Sequence, residues 1–190
     1  MFKRFYGAGD MGKYKHGKQK SEMEKETFYE IMEHGSFVKP LMHRAFLALL
    51  YYVGCRKAEA LELTTRDFRI TDDFLYVNIP AKKHGIERSP FKLNRKLPYV
   101  ELILKRVKST MKSKRVFPFN PVTAWLIVKR VAPKKYPHYF RLNRTVKFLN
   151  NPNVTLNEIR QWMAWKSIDT VNNYLGYSER TIGKLSQQLE

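Results

Sequence analysis

Leu41, Ala45, Phe46, Leu49, Leu50 and Val53 recur at helical spacing. The segment from Pro40 to about Val53 is therefore expected to be a helix buried in a core. Pro40 suits its first turn and Gly54 its end. The longest apolar run, residues 45–55, is too short to span a bilayer. Over 190 residues, a hydrophobic content of 43% is enough for the core of one domain, or of one domain with a short arm.

The remaining periodicities surround this helix. Residues 22–33 predict a short charged helix, broken by Gly35-Ser36. Arg56 opens a helical segment whose apolar side includes Ala58, Ala60, Leu61 and Leu63. Residues 68–70, 74–80 and 87–93 predict short strands, with Asp72-Asp73 and His84-Gly85 as turns. Helices are predicted over 97–108, over 121–131 after Asn120 as cap, over 138–149, and over 156–165 after Thr155 as cap. A short helix follows over 169–175, and Ser178 is expected to cap a last one to about residue 189. The expected class is α+β, mainly helical, with a small antiparallel β-sheet and no internal repeat. The first twenty residues are Gly- and Lys-rich without sustained periodicity. Residues 1–35 are thus expected to be a basic arm or linker remnant, and 36–190 the main domain.

Lysine and arginine total 36 against 17 acidic residues, a formal charge of +19. That excess exceeds what solubility needs and points to a polyanionic partner, most simply nucleic acid. A basic ribosomal-type or membrane-surface protein fits the composition as well. Cys55 is the single cysteine, so no internal disulfide can form and a reducing, intracellular setting is expected. No Cys-x-x-Cys or His-Glu-x-x-His spacing occurs, and no metal site is expected. The basic N-terminal residues lack the apolar core of a secretory signal.

Five motifs carry chemistry. Arg56 stands at a polar helix start, where its guanidinium fork and nearby N–H groups can bind an anion. An ion pair with Glu59 or Glu62 is the plainer alternative. Lys82 and Lys83 sit at a predicted hairpin tip, where a lysine can enter a DNA groove and protonate a leaving oxygen. His138 and Arg141 share a helix face one turn apart, just after Pro137. Trp165 brings an indole N–H donor, or simply an aromatic for the core. Tyr174 follows Trp165 by nine residues. A phenol is a poor nucleophile unless a base or cations assist, and Arg56, Lys83 and Arg141 would supply a positive field.

Taken in order, these segments resemble the catalytic set of the tyrosine recombinases, the phage-type integrases. Gly54, Arg56, Glu59 and Leu63 match the G-x-R-x-x-E-x-x-x-L setting of the first catalytic arginine. His138 and Arg141 match the H-x-x-R pair. Ser167, Ile168 and Thr170 fill the L-G-H-x-S-x-x-T-T stretch, and Tyr174 stands where its tyrosine follows. Two residues depart from that pattern: Ala164 replaces Gly and Trp165 replaces His, although Trp stands there in some members. The resemblance implies that Arg56 and Arg141 clamp the scissile phosphate, with Glu59 supporting the fold beneath. It also implies that Lys83, with Lys82 as runner-up, is the general acid and Tyr174 the nucleophile, with Tyr177 the alternative. The implied activity is site-specific recombination of double-stranded DNA through a 3′-phosphotyrosyl link, by four protomers on two sites. The free chain is expected to be able to exist as a monomer, DNA-associated and off the membrane. The covalent link keeps the bond energy, so no cofactor is expected.

Two rivals share part of this reading: a type IB topoisomerase or telomere-resolving enzyme, and a basic DNA-binding module that does not cleave. An RNA-binding structural protein is supported by charge alone. Members of the family usually carry an N-terminal helical domain that closes around DNA. Only a short basic segment precedes the resembling part of this chain. Either the chain is an isolated catalytic fragment, or residues such as Lys3, Arg4, Lys13 and Lys15 serve as a crude clamp.

Any nucleic-acid reading predicts steep salt dependence, because phosphate-bound Lys and Arg release counterions. Affinity for duplex DNA, titrated by fluorescence anisotropy, should fall about 10³-fold or more between 50 and 200 mM salt if six or more phosphates are contacted. A flat response would remove DNA as the partner.

Overall fold

The computed structural model describes residues 25–80 and 88–175. Its helices are α1 Lys25–His34, α2 Pro40–Val53, α3 Lys57–Glu62, α4 Val100–Lys108, α5 Pro121–Val131, α6 Pro137–Leu149, α7 Leu156–Trp162 and α8 Asp169–Leu175. Between α3 and α4 lie the strands β1 Phe68–Ile70, β2 Phe74–Val77 and β3 Phe91–Asn94. The mainly helical α+β class with a small antiparallel sheet is what the structure shows.

Helix α2 is the centre. Its burial goes beyond the predicted stripe: every residue from Ala45 to Leu50, including Leu47 and Ala48, has no exposed surface. A helix apolar on all sides must be packed on all sides, and α4 and α6 supply the two largest contacts. Helix α1, expected to be short and charged, also sends Phe28 and Met32 fully into this core. Phe28 stacks on Tyr51 with ring centroids 3.7 Å apart and meets Phe140 edge-on.

The sheet runs in the order β1-β2-β3, all antiparallel, with Phe68 opposite Val77 and Val77 opposite Phe91. Alternation puts Leu75, Val77, Phe91 and Leu93 against the core. The other face carries Arg69 over the Tyr76 ring and Lys92 over the Phe74 ring. Strands β2 and β3 are shorter than the predicted 74–80 and 87–93. The Asn78 N–H still bonds the Asp67 carbonyl in the β1–β2 register, but Pro80 has no N–H with which to extend a ladder. The hairpin tip that carries Lys82, Lys83 and the expected His84-Gly85 turn lies outside the described residues, as do residues 1–24 of the expected arm, Tyr177 and the expected last helix; residues 25–34 of that arm are α1, packed on the core.

Helix α4 begins at Val100 rather than 97. Pro98 disfavours helix at the residue before it, and Tyr99 then adopts a left-handed φ of 65°. The caps expected at Asn120 and Thr155 are present. The Asn120 side chain accepts the Thr123 N–H, and the Thr155 hydroxyl accepts the Glu158 N–H while Glu158 accepts the Thr155 N–H. Helix α7 ends at Trp162 instead of continuing to Trp165. Ala164 takes φ 47°, its N–H reaches Gln161 O, and the Trp165 N–H reaches Arg160 O. That double bond pattern is a Schellman motif, whose left-handed position glycine usually occupies.

Gly54 (φ 67°) and Ala164 are two left-handed positions of opposite suitability. A Cβ on Gly54 would lie 2.8 Å from the Arg144 Cβ, so Gly54→Ala should destabilise the fold by about 2 kcal/mol or more. Ala164→Gly relieves a left-handed alanine and should stabilise by about 0.5–1 kcal/mol after the entropic cost of glycine. Urea denaturation of both variants checks the pair, and equal signs would refute this account.

Candidate active site

The site is assembled around the C-terminal end of α2. A helix end leaves carbonyls without intrahelical partners, and here three side chains from the other half of the chain take them. Arg144 donates to Tyr51 O from Nε and Nη2 at 3.1 and 2.7 Å. Trp162 Nε1 donates to Val53 O at 2.9 Å. Arg141 Nη1 donates to Gly54 O at 3.0 Å. Cations suit this pole of a helix. Arg141 Nη2 also donates to Met163 O, so one guanidinium ties the end of α2 to the end of α7.

Two residues after Gly54, Arg56 precedes the first turn of α3. Glu59 accepts the Arg56 backbone N–H at 2.7 Å and its Nη1 at 2.9 Å. The plainer expectation for Arg56, an ion pair with Glu59, is thus present. About half of the Arg56 side chain stays exposed, whereas Glu59 is buried. Arg88, also buried, reaches the same Glu59 Oε1 from Nη2 at 3.3 Å. Burial pushes the Glu59 carboxyl up. The Arg56 N–H and the guanidiniums of Arg88 and Arg56 outweigh it, and the pKa ends below the usual value. Burial, then the charge of Arg56, lowers Arg141 to about 10, which leaves it protonated at neutral pH. Three guanidiniums and one carboxylate give a local excess of positive charge, which favours a bound anion.

Trp165 is almost wholly buried in a small second core with Leu149, Ile159, Met163 and Val171. Its ring lies 5.4 Å from the Arg141 guanidinium carbon and stacks on Tyr174 with centroids 5.0 Å apart and planes 21° apart. Both readings of Trp165 meet in one place: it packs a core and touches two other candidate residues. His138 is exposed at the start of α6, one turn before Arg141.

The structure therefore joins Arg56, Arg141, Trp165 and Tyr174 by a continuous path through Gly54 and Glu59. Lys83 and Lys82 are outside the described residues. Sequence reasoning missed Arg88, Arg144 and Trp162 as parts of this region. Arg144 had a readable signal, one turn beyond Arg141 on the same face. Arg88 had none, because its partner Glu59 is remote in sequence. Cys55, buried beside the site, has its thiol pushed up to about 12 by burial and by Glu59. A groove of about 670 Å³ between the start of α2 and α5, lined by Phe37, Leu41, Leu126 and Ile127, contains none of the candidate residues. No group of three metal-binding side chains occurs among the described residues, and no helix there is long and apolar enough to cross a membrane.

The chain belongs to the phage integrase family, which it matches over residues 21–180. No curated protein sequence matches it significantly. Among solved structures it is similar to the XerH site-specific recombinase in a post-cleavage complex with palindromic difH substrate. The TM-score is 0.71 at 15% identity, covering 89% of this chain and 53% of XerH. The XerA recombinase gives a TM-score of 0.64 at 16% identity over 88% of this chain and 64% of that one. The Tn1549 transposon integrase in complex with circular intermediate DNA gives 0.62 at 13% identity over 91% and 68%. These likenesses establish the fold, and the chain spans about half the length of XerH.

Arg141→Lys keeps the charge but cannot hold Gly54 O and Met163 O together with a planar fork. It should cost about 1–3 kcal/mol, the penalty of a buried acceptor left unpaired. Thermal unfolding checks this, and an unchanged midpoint would show that the bridge does not hold the two helix ends.

Proposed function

We propose that this domain is a site-specific DNA recombinase that cuts and rejoins double-stranded DNA through a 3′-phosphotyrosyl intermediate. The observation that carries the reading is that Arg141 binds the carbonyl of Gly54, two residues before Arg56 although 85 residues from Arg56 in sequence, with its guanidinium beside the Trp165 ring and Tyr174 stacked on that ring. XerH and the Tn1549 integrase, which share the fold, were solved on DNA substrates.

In this reading the exposed guanidinium of Arg56 and the buried one of Arg141 hold the scissile phosphate. The Tyr174 phenolic oxygen attacks phosphorus and the bond to the 5′ oxygen breaks. His138 takes the tyrosine proton, and Lys83 gives one to the departing 5′-hydroxyl. The Trp165 indole N–H donates to a phosphoryl oxygen. Preorganised donors of this kind are usually the largest catalytic contribution, and loss of one costs about 10²–10³ in rate. Religation reverses the step with a new 5′-hydroxyl, so neither external energy nor a metal is needed. Strand exchange pairs two DNA sites, with four protomers as the assembly, and places the protein with intracellular DNA of a mobile or viral element.

A nicked suicide DNA substrate with wild-type protein and Tyr174→Phe tests this on a denaturing gel. The wild type should form a covalent protein–DNA adduct and Tyr174→Phe none. An adduct that persists in Tyr174→Phe would move the nucleophile, first to Tyr177. Complete absence of adduct in the wild type on varied DNA would favour a binding module. Relaxation of supercoiled DNA without any preferred site would favour a topoisomerase.

A further inference from the structure

Arg88 lies outside every role assigned above, yet it is among the most buried charged side chains, with 4% of its side-chain surface exposed. Among the described residues its one ion pair is a 3.3 Å approach to Glu59 Oε1, and its Nε and Nη1 are buried there without a hydrogen-bond partner. An arginine fork normally uses several donors, and buried orphans are costly. Glu59 Oε1 is meanwhile shared, because Arg56 Nη1 occupies it at 2.9 Å. An Arg56 that turns toward a phosphate must release that oxygen. A buried carboxylate would then lose a charged partner, which is strongly unfavourable unless another cation takes its place.

We propose that Arg88 is a positioning residue: the standing counter-ion of Glu59, whose spare donors take over the carboxylate when Arg56 turns to bind phosphate. The two-donor hold then keeps Glu59 ionised and on the Arg56 backbone N–H, so the start of α3 does not shift as the side chain moves. Part of this rests on the phosphate-binding role of Arg56 under the recombinase reading. The hold of Arg88 on Glu59 does not. The groups that face Glu59 are Arg56 from its own turn, Arg88 from the segment before β3, Arg141 from α6 and the neutral Cys55 thiol. Loss of Arg88 leaves burial opposed by fewer positive charges, so the Glu59 carboxyl should titrate at higher pH.

The test follows the Glu59 carboxyl by ¹³C NMR in labelled full-length protein, assigned with Glu59→Gln, for wild type, Arg88→Met and Arg88→Lys. Arg88→Met should raise the Glu59 pKa by about one unit or more, with or without nicked DNA bound, and Arg88→Lys should restore most of it. On the nicked substrate, the acidic limb of adduct formation should move up in pH by the same amount, with the plateau rate down about 10–100-fold. An unmoved Glu59 pKa in folded Arg88→Met overturns the proposal, as does a cleavage profile that keeps its acidic limb. If Arg88→Met does not fold, Glu59→Gln/Arg88→Met should fold, since both charges are gone. A double variant no more stable than the single overturns it. A shifted Glu59 pKa without adduct from wild type supports the Arg88–Glu59 hold and counts against the cleavage reading alone.

Discussion

The capping of the α2 carbonyls by Arg141, Arg144 and Trp162 is the interaction on which the rest depends. Each such bond with a charged donor contributes about 1.5–3 kcal/mol when buried. Their more important effect is geometric. They come from α6 and α7, around ninety or more residues beyond α2 in sequence. They fix the exit of α2, and that exit aims Arg56. Gly54 permits the arrangement, because its left-handed turn has the Arg144 side chain where a Cβ would stand. Packing and site are therefore not separable here: the donors that satisfy a helix end also bring the two halves of the site together.

The second constraint is charge. Arg56, Arg88 and Arg141 converge on Glu59, and only Arg56 is substantially exposed. A buried cation beside others is unfavourable in the free protein: burial first, and then the charge of Arg56, lowers the pKa of Arg141. In the proposed reaction the scissile phosphate relieves that charge, and the folded state already holds the electrostatic preorganisation that phosphoryl transfer draws on. The overall charge of +19 acts at longer range, drawing polyanions toward the domain before any specific contact.

Much of this was legible in the sequence. The apolar repeat ending at Gly54 located α2 to the residue, and Asn120 and Thr155 located the starts of α5 and α7, because caps and periodicity are local physics. The spacing of nine between Trp165 and Tyr174 was also informative, and the two rings stack. What escaped was nonlocal. Full burial around α2 depends on which elements surround it. The stop of α7 at Trp162 depends on an alanine accepting a left-handed turn that propensity disfavours. The pairing of Arg88 with Glu59 joins residues that no periodicity links. Only the folded chain shows that Arg141 spends two donors on backbone carbonyls.

Ala164 and Trp165 form one substitution with two physical parts. The Schellman turn at the end of α7 needs a left-handed residue immediately before position 165. That requirement accounts for the glycine usual in the family motif and makes Ala164 a strained replacement. The strain is tolerable because Trp165, the next residue, buries a large ring among Leu149, Ile159 and Met163 and against Tyr174. Burial of such a side chain contributes more than a left-handed alanine costs. The exchange removes an ionisable ring from position 165, since an indole donates a hydrogen bond but neither takes up nor releases a proton at neutral pH. In the proposed reaction the proton of Tyr174 then has to leave by another route. His138, exposed one turn before Arg141, is the residue of the H-x-x-R pair that can accept it.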